Sequence, residues 1–253
     1  MVINLPTPSY LVSVSTVCQE PAALPLCLAD RERASPRGPR AGRYITVRQA
    51  TNVIEAVRFA KLVNLPLVAH LTIHWSLTDI GDDPNGRLFA KLREGLDKWL
   101  NRHGIEFGAV WARERQSRGQ SDVVHCHLMF HLPETYRSGR KLCEVEAAIC
   151  RLIERHGRGI THEAVIKLVI HENPDGKYLI KGGGPKVWKK FRLRREHRRL
   201  QGFIHGKRCG VTENISLAAR RRWREQQGGT MPSILGNAMM SAACNQHLDS
   251  NDT

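Results

Sequence analysis

No apolar run in the 253-residue chain approaches the ~20 residues that a membrane-spanning helix needs, which argues against a transmembrane span. Aromatic residues are scarce, at 6%. The seven cysteines are odd in number and include no Cys-x-x-Cys pair. They read as reduced thiols rather than as a disulfide framework or a paired-cysteine zinc site. No GxxxxGK[ST] loop is present, which excludes an ATPase of that type. The first thirty residues lack the positive start of a secretion signal, and prolines interrupt their apolar stretch. A cytoplasmic protein is the expectation. Acids are also few: 24 Asp and Glu face 39 Lys and Arg, a formal net charge of +15. The pI near 10.0 points to a polyanionic partner, nucleic acid or an anionic membrane surface.

Residues 1–42 are proline-rich, end in "RASPRGPRAGR", and read as a flexible extension. Residues 228–253 read as a second flexible tail. Between them the pattern alternates without internal repeats. "LPLVAHLTIHWSL" (65–77) reads as a strand with His70, Thr72 and His74 on one face. "GRLFAKLREGLDKWLNRHG" (86–104) has Leu88, Leu92, Leu96, Trp99 and Leu100 at helical spacing and ends in glycine. "FGAVWARERQ" (107–116) reads as a strand, "SRGQSD" as a turn, and "DVVHCHLMFHLP" (122–133) as the partner strand. "KLCEVEAAICRLIERHG" (141–157) is an amphipathic helix and "AVIKLVIHE" (164–172) a further strand. The expected fold is α+β, a central antiparallel sheet with helices packed on one face. Residues 43–180 form the main domain, and 181–227 a basic helical segment.

Side chains two apart on a strand share a face. In "DVVHCHLMFHLP", Val124, Cys126, Leu128 and Phe130 therefore form the buried face, and His125, His127 and His131 lie opposite. Two adjacent imidazoles can hold one divalent metal through neutral nitrogens. The same face also serves as a polar layer, and the stretch by itself leaves both open. A hairpin through "SRGQSD" would bring Glu114 beside these histidines as a third ligand, although a glutamate flanked by Arg113 and Arg115 also suits a surface.

Residues 181–224 hold fifteen Lys and Arg against Glu196 and Glu213, a net +13. Trp188, Phe191 and Phe203 interleave with the basic residues. Cations that neutralise phosphates beside rings that stack on bases favour nucleic-acid binding over a merely solvated basic face. The contacts expected there are Lys186, Trp188, Lys189, Lys190, Arg192, Arg194, Arg195, Arg198 and Arg199. The alternative for Trp188 and Phe191 is to anchor this helix to the core.

In "GKYLIKGGG" (176–184), Tyr178 and Lys181 lie three apart, one helical turn. A phenol, with an ordinary pKa of ~10, becomes a nucleophile only when a base, cation or metal favours its anion. "HCHLMF" followed by "YLIK", with "AHLTIHWSLT" ahead of both, resembles the HUH endonuclease superfamily over 65–225. Within it the chain is most similar to rolling-circle replication initiators. With one tyrosine in the YxxK region, it resembles their single-tyrosine branch.

That resemblance implies Mg²⁺ or Mn²⁺ on His125, His127 and Glu114. It implies Tyr178 as nucleophile, leaving a 5′-phosphotyrosine link and a free 3′-hydroxyl, with Lys181 assisting at phosphate or metal. The substrate implied is single-stranded or extruded origin DNA of a plasmid or phage-type element, with host replication proteins as further partners. A single-tyrosine HUH transposase or relaxase would use the same chemistry. "HLTI" instead fits half of a two-histidine phosphoesterase acting on RNA ends, but "HCHL" has His127 where that class needs a hydroxyl. A non-catalytic DNA-binding protein is the remaining alternative, from the faint turn-and-basic-helix pattern at 209–223.

Overall fold

A computed structural model describes residues 41–78, 83, 85–115, 124–157, 165–198 and 201–228. In chain order the elements are β1 (Ala41–Gly42), α1 (Val47–Leu62), β2 (Ala69–His74), α2 (Arg87–Arg102), β3 (Ala109–Arg115), β4 (Val124–Phe130), α3 (Gly139–Gly157), β5 (Ile166–Ile170), α4 (Pro185–Phe191), β6 (Ile204–His205), β7 (Cys209–Val211) and α5 (Leu217–Gln226). The fold is α+β. Five antiparallel strands run in the order β5-β2-β4-β3-β7, and β1 pairs separately with β6. Among the described residues no helix is long and apolar enough to cross a membrane.

Alternation on the strands assigns the two faces. Leu71, Ile73, Trp111, Cys126, Leu128 and Phe130 meet α2 and α3 through Leu92, Leu96, Leu100, Val145, Ile149 and Ile153. Val110, Ala112 and Met129, on the opposite face, form a second core with Ala50, Val53 and Val57 of α1. Helices therefore pack on both faces, not one. The reason is α1, which is missing from the expected order of elements. It starts at a capping box, Thr46 with Gln49, and buries Ala50, Val53, Ile54, Val57 and Ala60 at helical spacing.

The basic segment is also more than helical. α4 and α5 lie in it, but β7 adds to the free edge of β3, so the segment completes the sheet. Gly210 permits this: a Cβ there would come within 2.6 Å of the Trp111 indole. Ala41 and Gly42, expected in the extension, pair with β6. The rest of both expected tails, except Gly228, and the "SRGQSD" turn lie outside the described residues.

Candidate metal and tyrosine site

Directly opposed residues of an antiparallel pair share a face and sit close together. The register sets Glu114 of β3 and His74 of β2 opposite His125, with Ala112 and Thr72 opposite His127. Glu114 Oε2 consequently lies 3.1 Å from His125 Nε2 and 3.6 Å from His127 Nε2. The methyl side chain of Ala112 puts no bulk between Glu114 and His127. All three groups are buried, Glu114 and His127 at 1% exposure and His125 at 9%. Glu114 thus lies beside the two histidines, as the hairpin led one to expect, and not at the surface; the histidine face, expected to lie off the core, is buried too. The turn that follows Gly176 packs against β3 and α1 beside this cluster.

That turn, Lys177–Ile180, is a 3₁₀ helix whose Leu179 and Ile180 are fully buried. It begins at Gly176, where φ is +71° and an added Cβ would press to 2.9 Å from Val57 Cγ2. Both features require glycine. With three residues per turn, side chains at i and i+3 eclipse. Lys181 Nζ therefore stands 3.7 Å from the Tyr178 ring centroid. It also reaches Glu114 Oε2 at 3.2 Å. The Tyr178 ring lies 5.0 Å from that of His127 and 5.1 Å from that of His70, yet the residue stays 39% exposed.

Burial pushes the Glu114 carboxyl up, but the His125 and His127 imidazoles and the Lys181 charge outweigh it and hold it well below the ordinary range. Burial pushes His127 down to about 4 against the pull of Glu114. His127 is then neutral near pH 7. Its Nδ1 lies 3.1 Å from Thr72 Oγ1; in the tautomer whose Nδ1–H donates there, Nε2 keeps its lone pair for a cation. His70 is pushed down to about 3, first by burial and then by His127, His171 and Lys181.

The arrangement fits a metal ion. One donor atom from each of Glu114, His125 and His127 lies within 4.8 Å of the others. Glu114 Oε1 and His127 Nε2 are buried with no hydrogen-bond partner among the described residues. Such orphaned groups are costly, and a dication shared between them would satisfy both. Mixed imidazole and carboxylate donors accept several divalent metals.

Lys186, Lys189, Lys190, Arg192, Arg194, Arg195 and Arg198 are exposed; Arg199 lies outside the described residues. Trp188 and Phe191 pack against the second core and anchor α4, while Phe203 is 53% exposed under the Arg43 guanidinium. Not all of the basic charge is surface charge. Arg208 and Arg220 are buried and hold carbonyls of Gly42, Gly202 and Ile215. Of the other tyrosines, Tyr136 is a core residue and Tyr10 lies outside the described residues. His131 bonds the Pro66 carbonyl away from the site.

Sequence reasoning had Thr72 and His70 on the correct face of β2 but gave them no partners. It missed His171, whose ring is 5.6 Å from that of His70, and His197, 6.1 Å from that of Tyr178. The pairing of β5 with β2 was the signal for His171. No local pattern marks His197. No protein-family model matches the sequence, and no curated protein matches it.

Proposed function

We propose that the chain is a single-tyrosine endonuclease of HUH type that nicks and rejoins single-stranded DNA, initiating rolling-circle replication of a plasmid or phage-type element. The observation that carries this reading is the Lys181 ammonium, 3.7 Å from the Tyr178 ring and 3.2 Å from Glu114. One cation thus links an exposed phenol to a buried two-histidine, one-carboxylate cluster.

Tyr178 Oη attacks the scissile phosphorus and its proton leaves to water. The bond from phosphorus to the 3′ oxygen breaks, and that oxygen takes up a proton. The 5′ side stays joined to Tyr178, and later attack by a 3′-hydroxyl reverses the exchange. Lys181 favours the phenolate and faces the phosphate charge. Glu114, His125 and His127 would hold Mg²⁺ or Mn²⁺, which when bound polarises the phosphate and offsets charge in the transition state. The exposed cations of 186–198 then follow the strand backbone, and Phe203 offers a stacking ring.

The test is incubation of the full chain with a labelled single-stranded oligonucleotide and Mn²⁺, followed by a denaturing gel. A covalent adduct in the wild type and none in Tyr178→Phe is expected. Cleavage to free ends without an adduct would favour the two-histidine phosphoesterase, for which the Thr72–His127 contact speaks. Binding without cleavage would leave a DNA-binding protein.

A further inference from the structure

At the β7 edge of the sheet, across β3 from Glu114, lies a cavity of about 440 Å³ that the nicking reading does not use. It opens between α1, the start of α2, β3 and β7. Its volume falls within the ~300–1,000 Å³ of small-molecule sites.

The polar side chains around it are mostly donors; Asn85 brings an amide oxygen as well as an NH₂ group. Gln49 Oε1 already accepts from the Thr46 backbone N–H at 2.9 Å and from the Thr46 hydroxyl at 3.0 Å. Asn52 Oδ1 already accepts from Arg220 at 2.6 Å. The Gln49 oxygen thus accepts two hydrogen bonds and the Asn52 oxygen one, and both NH₂ groups are left without an acceptor among the described residues. Lys207 adds an exposed ammonium. Arg93 lies over the Trp111 ring at 4.4 Å and the Phe89 ring at 5.2 Å. Its Nε is buried without an acceptor, and no carboxylate among the described residues pairs with it. Burial pulls its basicity below the ordinary range. Among the described residues no acid lines the cavity. Asp83 lies close by, but its carboxylate accepts from the Phe89 backbone N–H at 3.0 Å.

A wall rich in donors and cations, with no acid among the described residues, favours an acceptor-rich anion, and the aromatic surface leaves room for more than a bare ion. We infer that this cavity is a phosphate-binding subsite that takes a nucleotide, either one unit of a bound strand or a free nucleotide. The inference goes beyond the nicking reading and does not depend on it.

Inorganic phosphate, thymidine 5′-monophosphate and a decathymidylate are titrated into the ¹⁵N-labelled full chain without divalent metal. The readout is the Trp111 indole N–H resonance, identified by its loss in Trp111→Phe. Phosphate and the monophosphate should both move it. Lys207→Ala should weaken monophosphate binding about tenfold, as loss of one charge-assisted contact does, and Arg93→Met by at least as much. Lys207 is exposed, so its variant tests the site even should Arg93→Met disturb packing. Displacement of the monophosphate by the oligonucleotide assigns the subsite to the strand, and independent binding assigns it to a free nucleotide. A resonance that none of the three moves, or variants that bind as the wild type does, would overturn the inference. Adduct formation at Tyr178 is not the readout, so the two readings fail separately.

Discussion

Glu114→Gln keeps the side-chain volume and removes the one negative charge on which the site closes. In the wild type a single oxygen, Oε2, meets His125 at 3.1 Å, Lys181 at 3.2 Å and His127 at 3.6 Å. The substitution leaves the Lys181 ammonium, its side chain 13% exposed, without that anion. Removing one partner of a buried ion pair costs ~3–5 kcal/mol. The amide oxygen still accepts one hydrogen bond, which puts the loss near ~3 kcal/mol. For a domain of this size each kcal/mol moves Tm by ~2–4 °C, so a fall of ~6–12 °C is expected. That fall alone does not separate a buried salt bridge from a metal site. Mn²⁺ does. At a hundred times its Kd a ligand stabilises by ~2.7 kcal/mol, which should raise the wild-type Tm by ~5–11 °C and the Gln variant's by far less. Calorimetry with Mn²⁺ and with EDTA measures both effects. A Gln variant that melts with the wild type refutes the buried charge network, and one that gains as much from Mn²⁺ removes Glu114 from the metal site.

Tyr178→Phe should retain metal and DNA binding, with stability within ~0.5 kcal/mol because it keeps the ring and removes only the hydroxyl of a 39% exposed residue, yet form no adduct on a denaturing gel; an adduct in this variant sinks tyrosine catalysis. Lys181→Met should bind Mn²⁺ more tightly, since the ammonium competes for Glu114, while slowing adduct formation without abolishing it. Calorimetric titration checks this, and unchanged affinity would remove Lys181 from contact with the site. His70 at about 3 and His127 at about 4 lie below the ordinary 6.5. The unfolded chain therefore binds protons that the folded chain refuses, and stability falls as pH drops from 6.5 towards 4. At ~1.4 kcal/mol per unit, His70→Asn should recover roughly 3 kcal/mol of that loss in urea midpoints, and an equal slope in both proteins would contradict the burial argument. Neutralising Arg192, Arg194, Arg195 and Arg198 together should flatten the slope of log affinity against log salt by up to ~3; a slope as steep as the wild type's puts the DNA path elsewhere.

The parts that were legible in the sequence have short periods. Alternation on β4 gave its two faces, the β3–β4 hairpin gave Glu114, and leucine spacing gave α2. What the sequence reading missed depends on contacts far apart in the chain. α1 buries mostly alanines and valines, a weak stripe beside the leucines of α2. β7 has three residues, too few for a period, and becomes a strand because β3 offers a free edge about a hundred residues earlier. The burial of the histidine face likewise follows from α1 and the Tyr178 turn docking on it. Trp188 and Phe191 are the converse case: a ring among arginines reads the same whether it faces a base or a core, and these two pack, partly buried, against the second core.

The turn at 177–180 explains why a spacing of three between tyrosine and lysine matters. On an α-helix, residues three apart are offset by about 60° around the axis; on a 3₁₀ turn they eclipse. Eclipsing lays the Lys181 side chain along the Tyr178 ring rather than beside it. Leu179 and Ile180, the two residues between them, are fully buried, so the turn cannot rotate its polar side chains away without exposing both. Gly176 lets the chain enter this turn against Val57. The period of two on β4 and the period of three on this turn therefore converge on one carboxylate. Glu114 is where the His125–His127 pair and Lys181 meet, and on the nicking reading it couples metal binding to the position of the nucleophile.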